Sequence, residues 1–297
     1  LVDWMDVPGP MGRSVTDVAV LLSAMAGVDE NDPATADAAE LAETDFSQFA
    51  TLDAAQGKRI GIFITSDEAI ESLLSMFELA DDAEEEQRQS FAAANAAWRE
   101  IGAKFAGSGI EVIEIDSEEL PNSPDPTQVL EFGFQDSVNR FLDGLGSNAP
   151  VSELAEVVTI NGEDPENRVP YGQGYITGSV NTAVTADEYA ALVQENQETA
   201  IAGLRSLFDT YELDGIVVSS FSQSYAAAGY PAITVPNGLD AGGAPSGVIM
   251  VGDFLGEADL IAVAYAFEQS AQGRVEPDLE ATLLEIESIL SGDETSN

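Results

Sequence analysis

DGIVVSSFSQSYAAAGYPAITVPNGLDAGGAPSGVIMV, residues 214–251, decides the fold. It reads as strand, loop, strand, turn, strand. Asp214-Gly215 is the punctuation that precedes a buried strand, and Ile216-Val217-Val218 is a short β-branched run suited to one. A serine-rich loop follows. Ala228-Gly229-Tyr230-Pro231 turns into Ala232-Ile233-Thr234-Val235, which Pro236-Asn237-Gly238 closes. With a proline at each end, this strand is predicted to be only a few residues long. Gly242-Gly243-Ala244-Pro245 makes the next turn, and Gly247-Val248-Ile249-Met250-Val251 is a third buried strand.

Upstream, helical periodicity alternates with strand patterns. Ser14 is a helix N-cap with Asp17 three residues on; Val15, Val18, Ala19, Leu22 and Met25 share a face, and Gly27 ends the helix. Residues 29–53 are acidic and alanine-rich and read as a surface crossing. Ile60-Gly61-Ile62-Phe63-Ile64 is a strand. Gly57-Lys58 before it is no phosphate loop, because the first glycine of that pattern is missing and a strand follows where a helix should. A long helix is predicted over 78–101 with Phe91, Ala94, Trp98 and Ile101 inward, then a strand over 110–115. Six acidic or small residues in a row, Asp81 to Glu86, form a solvated helix face rather than a cation site, since consecutive helical positions diverge. After the prolines of 121–126 comes a helix bearing Val129, Leu130, Phe132, Phe134, Phe141 and Leu142 as core. Residues 147–182 read as irregular. Thr185-Ala186-Asp187-Glu188 is a capping box opening a helix to about Tyr211. After Val251, helices are predicted over 255–272, with Leu260, Ile261, Val263, Ala264 and Phe267 buried, and over 279–290. The segment 291–297 is expected to fray.

Helices alternating with strands imply an α/β fold: a mixed β-sheet flanked by helices on both faces, in three layers. No linker divides the chain, so residues 1–297 are read as one domain.

The formal net charge is −44, from 54 acidic and 10 basic residues, of which only Lys58 and Lys104 are lysines. The acids are dispersed along a chain that is 44% hydrophobic, so they belong to a folded protein and not to an acidic tail. Such a surface suits concentrated salt, and the chain is expected to be halophilic and cytoplasmic. It argues against nucleic acid and against anionic membranes as partners. No run reaches the roughly 18–20 apolar residues of a membrane span. Cysteine and histidine are both absent, which excludes disulfides, thiol catalysis, the usual zinc sites and a Ser-His-Asp triad within these residues. No metal and no cofactor is expected. Serine-lysine chemistry remains open.

Two motifs carry a resemblance. One is Ala228-Gly229-Tyr230-Pro231-Ala232-Ile233-Thr234-Val235-Pro236, followed by the Gly247 strand and a helix through Glu268. The other is Gly9-Pro10-Met11-Gly12-Arg13-Ser14-Val15-Thr16-Asp17, with Asp32-Pro33-Ala34-Thr35 behind it. Together, in this order, they resemble the amidase signature hydrolases. Pro170-Tyr171-Gly172-Gln173 is similar to a segment of the peptide-amidase-like branch. The resemblance implies a helix-flanked mixed sheet and amide hydrolysis through a serine nucleophile, a cis-peptide bridging serine and a lysine. All three precede the Gly-Pro-Met motif in the family. The chain, which begins at Leu1, is therefore expected to be a C-terminal portion with no catalytic residue of its own and a sheet incomplete on its N-terminal side.

Within the chain, Ser219, Ser220, Ser222 and Ser224 stand just beyond a strand end, where α/β proteins gather ligands. A serine nucleophile needs a base within hydrogen-bond reach, and Lys58 and Lys104 read as solvated charges. Ser220, Phe221 and Ser222 are accordingly expected to line the substrate pocket of the complete enzyme, with an ordinary polar loop as the competing reading. The partner expected is a small-molecule or peptide amide, with a homodimer as a possible assembly. The other functional classes are a non-catalytic amidase-like scaffold and an A-type amidotransferase subunit that works on aminoacyl-tRNA.

Overall fold

The computed structural model describes residues 2, 4–30, 32–76, 80–121, 127–218 and 223–291. The elements run α1 (Val15–Met25), β1 (Arg59–Ile64), α2 (Asp67–Ser75), α3 (Asp81–Ala103), β2 (Glu111–Asp116), α4 (Thr127–Leu145), α5 (Leu154–Glu163), α6 (Pro165–Arg168), α7 (Gly174–Val180), α8 (Ala186–Tyr211), β3 (Gly215–Val218), α9 (Gln223–Ala228), β4 (Ala232–Leu239), β5 (Pro245–Gly252), α10 (Glu257–Ala271) and α11 (Leu279–Ser291). Of the expected frayed end, residues 292–297 lie outside the described residues.

The strands form one sheet in the order β2-β1-β3-β5-β4. β1 runs parallel to β2 and β3, and β5 runs antiparallel to β3 and β4, so the sheet is mixed as expected. Side-chain alternation along the strands divides the core in two. Ile60, Ile62, Ile64, Val217, Val248 and Met250 face one layer, with Leu260, Val263 and Phe267 of α10 and Val15 and Ala19 of α1. Phe63, Ile115, Ile216, Val218 and Val251 face the other, with Ala200, Leu204, Leu207 and Phe208 of α8 and Tyr225 of α9. This is the three-layer α/β/α arrangement.

Both predicted caps are made. Ser14 Oγ accepts from Asp17 N at 3.1 Å, and Thr185 and Glu188 close a reciprocal capping box. Glu268 of α10 reaches across and accepts from Val15 N at 2.7 Å, satisfying an orphan amide of α1. The two sequence motifs are thus joined by one hydrogen bond.

Several expectations are corrected. β4 does not stop at Val235 but continues through Pro236 to Leu239. It is an edge strand, where a missing N–H is tolerated, and its register shifts between Pro236 and Gly238. Residues 29–53 are more than a surface crossing: a 3₁₀ turn over Phe46–Phe49 places Phe46 in the core at 1% exposure. Residues 147–182 hold α5, α6 and α7 instead of irregular chain. On α3 the inward residue is Asn95, not the exposed Ala94. On α1 and α4, Met25 and Phe141 are exposed. The short helices α2 and α9 have no counterpart among the expected elements.

Candidate functional site

In an open α/β sheet, ligands bind outside the carboxyl ends of the strands where the strand order reverses. Here the chain leaves β1 for β2 on one side and returns to β3 on the other, so the reversal lies between β1 and β3. A cavity of about 100 Å³ lies there. β1 supplies Phe63, β3 supplies Ile216 and Val218, α8 supplies Leu204, and α9 supplies Ser224 and Tyr225. All six are buried. Leu120, just past β2, also lines the cavity and is 43% exposed.

Polar groups fix the strand ends beside it. Asn95 of α3 clamps Thr65, accepting from its N–H at 2.9 Å and donating to its C=O at 2.8 Å. Ser117 donates to Thr65 Oγ1 at 3.1 Å. Asp116 at the end of β2 accepts from Glu118 N and from Ser66, which holds its carboxyl below the usual range. Ser66 is also the N-cap of α2. These bonds hold the ends of β1 and β2 in fixed relation to α2 and α3.

A second, larger groove of about 520 Å³ lies between α2 and α3, with Asp67 and Glu71 on one side and Arg88, Asn95 and Arg99 on the other. Its arginines are committed: Arg88 pairs with Glu71 and Glu84, and Arg99 pairs with Glu114 at 2.8 Å. The Arg88 contact lowers the Glu71 carboxyl and the Arg99 contact lowers Glu114. A ligand would have to displace these pairs, so the apolar cavity is the better candidate.

Ser220, Phe221 and Ser222, the residues expected to line a pocket, lie outside the described residues. The nearest described residues that line the cavity are Val218 before them and Ser224 after them. The lysines are not solvated charges as the sequence implied. Lys58 Nζ pairs with Asp214 at 3.1 Å and Asp259 at 2.7 Å. Burial alone would lower its pKa, but those two carboxylates hold it above the ordinary value. Lys104 donates to Asn237 and sits 5.9 Å from the centre of the Phe267 ring. Lys58 is anchored where β1 and β3 begin, and four residues of β3, roughly 13 Å, separate that end from Val218. Neither lysine is placed to serve as base at the carboxyl ends.

Glu257, in the first turn of α10, has its Oε2 buried with no hydrogen-bond partner. Burial pushes its carboxyl above the ordinary value of 4.5. A raised folded-state pKa means that the folded protein holds this proton more tightly, so stability falls as pH rises from about 4.5 upward. Glu257→Gln is expected to raise stability at pH 7 by about 0.5–1 kcal/mol, allowing for partial solvent screening, or ~1–2 °C in melting temperature. The gain should vanish at pH 4, where the wild-type carboxyl is protonated. Paired calorimetric scans at the two pH values measure it; an equal gain at both would contradict the assignment.

The signals for what sequence reasoning missed differ in kind. Ser66-Asp67-Glu68 is an N-cap followed by acids, a legible start for α2. The cavity had no such signal, because its walls come from residues between 63 and 251 in sequence.

No family model matches the sequence. A "Probable amidase" of Arabidopsis thaliana is 30% identical over 278 residues, 92% of this chain and 50% of that protein. One glutamyl-tRNA(Gln) amidotransferase subunit, from Roseobacter denitrificans, is 27% identical over 299 residues, 90% of this chain and 55% of that one. Among solved structures, an amidase family protein from Bacillus anthracis superposes with a TM-score of 0.74 at 29% identity, covering 94% of this chain and 51% of that chain. The peptide amidase of Stenotrophomonas maltophilia gives 0.70 at 26%, covering 92% and 55%. The chain thus spans about half the length of the relatives it matches. Its homologues and structural neighbours are members of the amidase signature family, and over that half-length the chain is similar to them in sequence and in fold.

Proposed function

We propose that this chain is part of an amidase, forming one wall of the substrate crevice, while the groups that break the bond lie on polypeptide preceding Leu1. The reading is carried by one observation: a fold shared with amidases holds an apolar cavity at the carboxyl ends of β1 and β3, with neither lysine of the chain near it.

In the complete enzyme the serine attacks the amide carbonyl, and its proton passes through the bridging serine and the lysine to the leaving nitrogen. The C–N bond breaks to give ammonia or an amine and an acyl-enzyme. Water then attacks the ester, releasing the carboxylic acid and returning the proton to serine. Backbone amides stabilise the oxyanion in both steps. The substrate is a small-molecule or peptide amide. An amidotransferase role on tRNA fits less well, because 54 acids against 10 bases repel a polyanion.

The test compares the 297-residue chain with the same chain extended upstream through the lysine and the two serines that the resemblance implies, both in molar KCl with a panel of primary amides. Ammonia release by the extended protein alone is the expected result. Turnover by the short chain that survives replacement of Lys58 and Lys104 would overturn the proposal.

A further inference from the structure

Protein cores hold few voids larger than a water molecule, and an empty one costs stability in proportion to its volume. The cavity between β1 and β3 is of about 100 Å³. A water occupies about 30 Å³, and an apolar cavity near 150 Å³ admits benzene. The space therefore suits roughly three or four heavy atoms, a branched aliphatic group and not an aromatic ring.

Its walls define the chemistry. Among the described residues, none that lines it carries a charge, and the hydroxyl groups belong to Ser224 and Tyr225, 5% and 9% exposed. A carboxylate or ammonium placed there would lose its hydration with no opposite charge to replace it. Phe63, Leu204, Ile216 and Val218 present methyl and ring surface to whatever enters. Leu204 comes from α8 and Val218 from the last position of β3, both buried in the core, while Leu120, 43% exposed, stands where the cavity meets solvent.

We infer that this cavity is a specificity subsite for a small branched aliphatic group of the amide substrate, of isobutyl size. The inference rests on the amidase reading for calling the ligand a substrate; the binding itself does not. A pocket of fixed volume discriminates by roughly 10- to 200-fold for a single methylene. The subsite would select against aromatic and charged side chains by exclusion.

The experiment titrates the 297-residue chain in 2 M KCl with isovaleramide, N-isobutylacetamide and benzamide, read from the methyl resonances of Leu204, Ile216, Val218 and Val251. Isovaleramide or N-isobutylacetamide should shift these resonances saturably at millimolar concentration, the better ligand showing whether the acyl or the amine side occupies the site. Benzamide should bind at least about tenfold more weakly. Leu204→Phe, which fills the space, should remove the shifts. If that variant does not fold, the size series on the wild-type chain decides. No shift with either aliphatic amide, benzamide binding as tightly, or unchanged binding to a folded Leu204→Phe chain would overturn the inference. Hydrolysis by the upstream-extended protein is scored separately: binding without hydrolysis removes the amidase reading and keeps the subsite, and hydrolysis without binding does the reverse.

Discussion

Transfer from dilute buffer to 2 M KCl should raise the thermal midpoint of this chain by on the order of 10 °C. The formal charge of −44 is confined to a folded chain of 297 residues, and its few cations offset acids only locally. Lys58 is shared by Asp214 and Asp259, Arg88 by Glu71 and Glu84, and Arg99 is held by Glu114. Exposed pairs of this kind contribute about 0–1 kcal/mol each and cannot balance the excess. Unfolding relieves repulsion by spreading the charges apart. At 1 M salt the screening length is about 3 Å, against roughly 30 Å at 0.01 M, so the relief disappears. Scanning calorimetry against KCl measures the shift, with sucrose as control because it favours compaction without screening charge. A midpoint constant to within about 2 °C across the KCl series would show that the acids are not the destabilising element.

Replacing Gly273 with alanine should cost about 3 kcal/mol and lower the midpoint by ~6 °C or more. α10 ends on Gln272 in the left-handed conformation, with φ of 44°, and the next residue is pressed against β4. Gly238 N donates to Gly273 O at 3.0 Å. A Cβ at 273 would lie 2.6 Å from both Asn237 Cα and Gly238 N, and would also strike the Pro236 carbonyl. These are backbone atoms that cannot swing aside. Either α10 withdraws from β4 or the Pro236–Gly238 irregularity rearranges, and Lys104 loses its geometry toward Asn237 in the second case. The control is Gly9→Ala, whose Cβ meets nothing within 4 Å and which should leave the midpoint within experimental scatter. A Gly273→Ala protein that melts like wild type would refute the close contact.

What can be read from the sequence follows from how local each signal is. Thr185 and Glu188 are three residues apart and state their helix start outright, and Ile216–Val218 declares a strand by β-branching alone. The length of β4 is not legible in this way, because it depends on lying at the edge, a property of strand order that no local pattern carries. Lys58 reads as a solvated charge because Asp214 and Asp259 are distant in sequence; the first meets it when β3 pairs with β1 and the second when α10 docks on the sheet. Phe46 lies in an acidic stretch, yet it sits in the core beside α1 and α10, with Leu41 and Phe49 of the same stretch packed against that core. The serines after Val218 point to the end of β3 as a place for ligands. They do not disclose the cavity, since α8 and α9 complete its walls from elsewhere in the chain.

The proline in β4 matters most where salt screens so acidic a surface. When salt hides the charges, copies of the chain no longer hold one another at a distance, and a bare sheet margin becomes a template for ribbon-like aggregation. At Pro236 that margin lacks a donor and shifts register, which spoils it for pairing with a second molecule. The opposite margin, β2, carries Glu111 and Glu114 with Arg59 and Arg99 against them. Resistance to pairing at high ionic strength then rests on backbone shape at β4, which salt does not touch, more than on the exposed ion pairs of β2, which it weakens.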